Sequence, residues 1–162
     1  RAADLGITGL ESQQVLDDHA ALFDRIESLR LEAGQRMGLG DVTKSVVPKV
    51  GLIAEPAGPG HMAARYFMPW TTHPTLAVTG SQCLAACALA PCTAADGLAR
   101  RPNESPATFT LEHPMGIMDV RVQFKNGADG FHFVSAGVTR TARLLARGEV
   151  MVPRDVWAGQ AT

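Results

Sequence analysis

The sequence predicts an α+β fold in which a curled, mostly antiparallel sheet wraps around one central apolar helix. Strand-like runs rich in Val and Ile, or alternating in polarity, occur on both sides of the middle of the chain. Residues 83–90 form an apolar run without a polar face, so a helix there must be enclosed on all sides. Other helical patterns are few, and the sheet is therefore the element left to enclose it.

The first 45 residues contain one amphipathic helix. Residues 2–6 are typical of the end of a strand. After them Asp17 or Asp18 can cap a helix, with Arg36 near its end and Gly38 and Gly40 after it. The positions that give this helix its apolar face are Leu22, Ile26, Leu29 and Ala33.

Strands are predicted over 49–54 and 62–68, with a turn between them and a Pro-containing loop over 69–74 before the central helix. Farther along, residues 108–111 and 117–124 alternate in strand fashion. Asn126-Gly127 predicts a hairpin turn before a strand over 131–134. The segment 139–145 fits both the helix and the strand periods poorly, and we favour a strand.

Composition excludes several classes of partner. The chain has 162 residues, 46% of them hydrophobic and 19% charged, which is enough for one good core or two small ones. A net charge of −1 with scattered Lys and Arg argues against nucleic-acid binding. The longest apolar run is too short to cross a bilayer. We expect a cytoplasmic protein with neither nucleic acid nor membrane as a partner.

The start of the central helix is the candidate anion site. Thr79-Gly80-Ser81-Gln82 fits the capping-box pattern, which places the helix start at Thr79. Gly80 would let a ligand approach the backbone, Thr79 and Ser81 offer hydroxyls, and a helix N-terminus favours negative charge. A carboxylate fits this chemistry. The alternative is an ordinary capped core helix with nothing bound.

Two His-Pro corners flank this helix in the sequence. His73 lies in the loop before it and could donate a hydrogen bond to a bound carboxylate or carbonyl oxygen. His113 lies in a second corner, between strands, where Gly116 suits either a tight turn or close approach of a ligand. For both histidines a purely structural role is the alternative.

The three cysteines do not complete a metal site. Cys83 and Cys87 are one helical turn apart, but no Cys-x-x-Cys pair or set of histidines accompanies them, so we predict no bound metal and buried apolar thiols. No nucleophile has an adjacent base of the Ser-His or Cys-His kind.

Several segments, in order, resemble the C-terminal half of the PrpF-type isomerases. That group contains methylaconitate isomerase and 4-oxalomesaconate tautomerase and has the diaminopimelate epimerase fold. The resemblance covers almost the whole chain and is closer to the 4-oxalomesaconate branch. The matching segments are DLGITG at 4–9, the helix around 26–36, MGLGDV at 37–42, VPKV at 47–50, ARYFMPWTTHPTLAVTG at 64–80, EHPMG at 112–116 and RTARLLARGEV at 140–150.

The resemblance implies a cofactor-independent isomerase that moves a proton 1,3 in an unsaturated polycarboxylate such as 4-oxalomesaconate. In such proteins the substrate lies in a cleft between two similar domains, each a curled sheet around a helix. The family's catalytic Lys and its partner belong to the N-terminal half, so no catalytic residue is predicted here, and Lys49 matches none of them. Ala77 stands where true epimerases carry a catalytic Cys, and Met115 replaces a usual Ser.

We therefore expect residues 1–162 to be a single C-terminal epimerase-like domain, in which 1–45 and 150–162 pack on an N-terminal half. The expected partners are a small polycarboxylate, that N-terminal half and a second copy of the chain. Alternative functions are a non-catalytic fragment or binding module for a small polycarboxylate, or a methylaconitate isomerase. The predicted substrate-binding residues are His73, Thr79, Gly80, Ser81, Met68, His113 and Gly116.

Overall fold

Six strands form one curled sheet in a computed structural model that describes residues 1–128 and 130–157. They are β1 (Val50–Ala54), β2 (Met62–Met68), β3 (Thr71–Thr72), β4 (Ala107–His113), β5 (Gly116–Gly127) and β6 (Gly130–Val138). The strand order is β1-β2-β4-β5-β6, and β3 pairs with the end of β2. Only β2 and β4 run parallel, which confirms the predicted mostly antiparallel sheet.

Helices cover both faces of this sheet. They are α1 (Gln13–Asp17), α2 (Ala20–Arg36) and α3 (Val78–Leu89). On one face, α3 packs through Leu84, Ala85 and Ala88 against the larger core cluster. On the other face, Leu22 and Ile26 of α2 pack in a second cluster that includes Phe67 of β2. Successive strand residues point to opposite faces, so the sheet separates the two cores.

The beginning of the chain differs from the prediction in two ways. Residues 2–6 do not end a strand, because Ala3–Leu5 form a short 3-10 helix that ends at Gly6, whose φ is +79°. The first long helix is capped by neither Asp17 nor Asp18. Asp17 instead ends α1, which Ser12 caps, and His19 caps α2 by accepting a hydrogen bond from the N–H of Leu22.

The predicted capping box of the central helix is also wrong. The N-cap residue of α3 is Ala77, which has no side chain able to cap, and Thr79 is already inside the helix. The amide of Gln82 donates to the carbonyl of Ala136 in β6 rather than returning to the helix start. The Gln82 side chain that the capping box would use therefore makes a tertiary contact with β6 instead.

The sheet does not enclose α3 completely. Thr79 and Cys83 are exposed, because β1 is the last strand on that side and none of the described residues forms a strand beyond it to cover the helix. The prediction of buried thiols is wrong for Cys83 and Cys92, which are exposed, and Cys87 is half-buried. Along the part of the chain that the structure describes, no helix combines the length and apolar character needed to cross a membrane.

The C-terminal part also departs from the prediction. Asn126 and Gly127 belong to β5, so the hairpin turn comes later than predicted. The segment 139–145 is not a strand: no helix or strand is present from 139 to 157, and Leu144 and Leu145 are 80% and 81% exposed. A strand needs a neighbour to pair with, and none of the described residues pairs with β6 on its outer edge. Residues 158–162 of the predicted tail lie outside the described residues.

Candidate functional site

The start of α3 has three unused hydrogen-bond donors. The first helical bond is donated by the N–H of Ser81 to the carbonyl of Ala77, at 2.8 Å. No described residue accepts a hydrogen bond from the N–H of Val78, Thr79 or Gly80, and Ala77 offers no side-chain cap. A helix start without a cap leaves its donors and its partial positive charge available to an anion.

Tyr66 of β2 lies directly against this helix start. A Cβ atom added to Gly80 would come within 2.6 Å of the Tyr66 ring and 2.7 Å of its phenol oxygen, so only glycine permits this approach. No described residue hydrogen-bonds that oxygen. Burial raises the pKa of the Tyr66 phenol, and the nearby Cys83 thiol raises it further. The phenol is therefore protonated at neutral pH and able to donate.

A cavity of about 700 Å³ opens beside these groups. We call it the Lys49 cavity. The polar side chains in its lining include those of Lys49, Tyr66 and Thr79, and Gly80 and Cys83 of α3 line it as well. The rest of the wall is largely apolar and includes Leu39, Val47 and Leu84. Among the described residues that line it, Lys49 is the one charged side chain.

A buried arginine fixes the segment that carries Lys49. Arg30 of α2 is fully buried and forms an ion pair with Glu27 at 2.6 Å. Its guanidinium also donates to the carbonyls of Val42, Ser45 and Val47 at 3.0 to 3.3 Å. These bonds attach residues 42–47 to α2, and Val47 at the end of that segment lines the Lys49 cavity.

The two His-Pro corners share one local arrangement. The Nδ1 atom of His73 accepts a hydrogen bond from the N–H of Thr75 at 3.0 Å, and that of His113 accepts from the N–H of Met115 at 3.2 Å. A ring that accepts at Nδ1 carries its proton on Nε2 when it is neutral, so each ring is a donor at that atom. The His73 ring also meets Tyr66 edge to face, with centroids 6.4 Å apart.

His113 lines a second cavity, of about 510 Å³, which we call the His113 cavity. Thr75, Asp119 and Arg140 line it as well. Burial lowers the pKa of His113, a backbone hydrogen bond with Ile117 raises it, and the nearby positive charges of Arg65 and His73 lower it again, with a net lowering. The strand end before His113 is held by Glu112, whose carboxylate accepts from the N–H groups of Ala57, Gly58 and Gly60.

The structure thus divides the predicted site residues between two cavities. Thr79 and Gly80 line the Lys49 cavity, whereas His113 lines the other. His73 lies near Tyr66 and close enough to His113 to lower its pKa.

The remaining predicted residues lie in neither lining. The Ser81 hydroxyl is buried and donates to the carbonyl of Val78, so it is already used inside the helix. Met68 pairs with Thr71 at the end of β2. Gly116 has a φ of +133° and closes the tight turn opposite His113, which favours a turn role.

Sequence reasoning missed two members of the site. Tyr66 is predicted only as part of a strand, and Lys49 is set aside because it stands in a strand preceding the site and matches no catalytic Lys of the family that the sequence resembles. The one sequence signal for Tyr66 is Gly80, since a glycine inside a helix often marks the close approach of another group. No group of three or more His, Cys, Asp or Glu side chains in residues 1–128 and 130–157 is placed to hold a metal ion.

Comparisons with known proteins agree with this fold. The family model described as PrpF protein matches residues 1–153. The 4-oxalomesaconate tautomerase of Pseudomonas putida is 37% identical over 158 residues, which cover 98% of this chain and 43% of that protein. The (4E)-oxalomesaconate Delta-isomerase of a Novosphingobium species is 40% identical over 152 residues, which cover 94% of this chain and 42% of that protein.

A crystal structure of methylitaconate-delta-isomerase has the same fold. It superposes with a TM-score of 0.71 at 21% sequence identity, over 86% of this chain and 42% of that one. The chain spans less than half the length of each of these relatives.

Proposed function

This chain belongs to the PrpF family, and we propose that it is the C-terminal, substrate-carboxylate-binding half of a cofactor-independent isomerase. The proposed reaction moves a proton 1,3 in an unsaturated polycarboxylate such as 4-oxalomesaconate. Two relatives that cover more than nine-tenths of this chain are named for 4-oxalomesaconate chemistry, which supports that substrate class. The cytoplasmic location, the packing of 1–45 and 150–162 on an N-terminal half, and the association of two copies all stay predictions.

The observation that carries this proposal is the uncapped start of α3. Three backbone N–H groups converge there without acceptors among the described residues. A carboxylate bound to them would satisfy donors that a Ser, Thr, Asp or Asn cap would otherwise use. In a proton shift next to a carboxylate or carbonyl group, the same donors would stabilise the negative charge that develops on oxygen.

We place the proton-transferring groups in the N-terminal half of the enzyme, as the resemblance to the PrpF-type isomerases implies, and not in this chain. The His73 ring accepts at Nδ1 and presents a donor at Nε2, which suits hydrogen bonding to a substrate oxygen better than removal of a proton, whereas the His113 ring already hydrogen-bonds the backbone of Ile117. We therefore name no catalytic base among residues 1–162.

The test of this function is isotope exchange. The substrate 4-oxalomesaconate is incubated in heavy water with the 162-residue chain and, separately, with the longest natural protein that contains it. Deuterium uptake is followed by NMR. We expect exchange with the longer protein and none with the chain by itself. The absence of exchange in both samples would refute the substrate assignment.

A substitution at the first helical position tests the binding role of α3. Val78→Pro removes one open N–H at a position where proline fits a helix, and Ala77 before it already has the extended conformation that proline requires, with φ −66° and ψ 144°. In the longest natural protein that contains this chain, losing a hydrogen bond to a charged group should raise KM about tenfold or more. Val78→Ala keeps the N–H and is the control; an equal rise in KM for both variants contradicts the role.

A further inference from the structure

We propose that Lys49 and Tyr66 bind a second carboxylate of the substrate, which makes the Lys49 cavity selective for dicarboxylates and larger polycarboxylates. This inference rests on the proposed function, because it takes the start of α3 as the site of the first carboxylate. The first and second sites lie in one cavity, since Thr79 and Gly80 line it together with Lys49 and Tyr66.

Charge supports this assignment. Lys49 is exposed and forms no ion pair with any described residue, and no described carboxylate lines the cavity. Its ammonium group therefore has no internal counter-ion to compete with a bound anion. Together with the partial positive charge of the helix start, the lining presents two positive centres in a largely apolar wall.

Tyr66 supplies the neutral donor. Its phenol oxygen lies beside Gly80, another residue that lines the cavity, and has no hydrogen-bond partner among the described residues. A protonated phenol can donate to a carboxylate, and such charge-assisted bonds are stronger than neutral ones. The contact with Gly80 fixes the ring, so little side-chain freedom is lost when an anion binds.

The His113 cavity is the less suitable of the two. It contains Arg140, but Asp119 lines it as well and would repel a bound carboxylate. The Asp119 carboxylate accepts a hydrogen bond from Thr110 at 2.7 Å, which holds it in place. Like-charge repulsion therefore favours the Lys49 cavity for a polyanion.

The test compares two ligands that differ in one carboxylate, succinate and butyrate. Binding is measured by NMR titration of the longest natural protein that contains this chain. We expect succinate to bind at least about tenfold more tightly than butyrate, as one charge-assisted hydrogen bond would give. Lys49→Met should reduce this preference to less than about threefold, and Tyr66→Phe, which keeps the ring, should reduce it partly.

Lys44→Met is the matched control, because Lys44 is also exposed but lines neither cavity. It should leave the preference unchanged, and Lys49→Arg should retain most of it. A wild-type protein without preference for succinate would overturn the inference, as would a Lys49→Met variant that keeps the full preference. Because this readout is binding, its failure is distinguishable from a failure of isotope exchange, which tests the reaction.

Discussion

The Lys49 cavity and the His113 cavity lie near opposite ends of the same short segment, residues 75–80, yet they differ in charge. The Lys49 cavity has one cation and no described carboxylate, whereas the His113 cavity contains both Arg140 and Asp119. A charged side chain fixes a segment next to each cavity. Arg30 binds the carbonyl of Val47, which lines the first, and Glu112, the neighbour of His113, binds the N–H groups of residues 57, 58 and 60.

The difference leads us to expect that proximity to a helix start is not sufficient for anion binding. What separates the two regions is whether a neighbouring carboxylate already neutralises the positive charge. Substitutions that alter one cavity and spare the other can test this directly.

The largest effect is expected for Arg30→Met. Removing this buried guanidinium leaves Glu27 without its partner and frees the carbonyls of Val42, Ser45 and Val47. The free energy of unfolding should fall by about 3–5 kcal/mol. Arg36→Met is the control on the same helix, since its ion pair with Glu32 is exposed and should contribute less than about 1 kcal/mol. Urea denaturation measures both, and equal losses would contradict the supporting role of Arg30.

Gly80→Ala should have the next largest effect. The new methyl group would overlap the Tyr66 ring, and overpacking of this kind costs about 1–3 kcal/mol, partly offset by about 1 kcal/mol of helix propensity. Displacement of the ring should also weaken the succinate preference. Gly137→Ala, with nothing within 4 Å of the added carbon, should change neither quantity. A stable Gly80→Ala protein with normal binding would show that the Tyr66 contact is dispensable.

The pH dependence of stability should reveal the burial of His113 in the His113 cavity. Burial is the main cause that lowers the pKa of His113, so the unfolded chain takes up a proton at a higher pH than the folded protein does. Stability should therefore fall as the pH drops from about 6.5 towards the folded-state pKa. NMR titration of the His113 ring should give a pKa below the ordinary value. His113→Gln should make stability less dependent on pH without abolishing that dependence, because burial also lowers the pKa of His61. A His113 ring that titrates at or above the ordinary value would contradict its burial.

Arg140→Gln should have the smallest effect. Asp119 already offsets the charge of Arg140 in the His113 cavity, so succinate affinity should change by less than about twofold, or about 0.4 kcal/mol. NMR titration with succinate, carried out on Arg140→Gln and on Lys49→Met, compares the two losses of affinity. A larger loss for Arg140→Gln than for Lys49→Met would reverse the assignment of the two cavities.

Local pattern predicted the strands well, because alternation is a property of neighbouring residues. The bounds of β2 agree with the predicted 62–68, and β1 begins one residue after its predicted start. The segment 139–145 was predicted wrongly, because its pattern was weak and a strand depends on a partner that the described residues do not provide. Within the candidate site, the helix start and both histidines could be named from sequence, but not that Thr79 and Gly80 line one cavity, that His113 lines another and that His73 lines neither.

The sequence by itself determined the apolar composition of α3, the glycine that admits a close neighbour and the two His-Pro corners, since these depend on residues close together in the chain. The tertiary structure decided which side of α3 stays open, that Gln82 bonds to β6 instead of capping the helix, and that Lys49 and Tyr66 share a cavity with Thr79. These outcomes depend on strand order and on contacts between residues far apart in the chain, which no local pattern encodes.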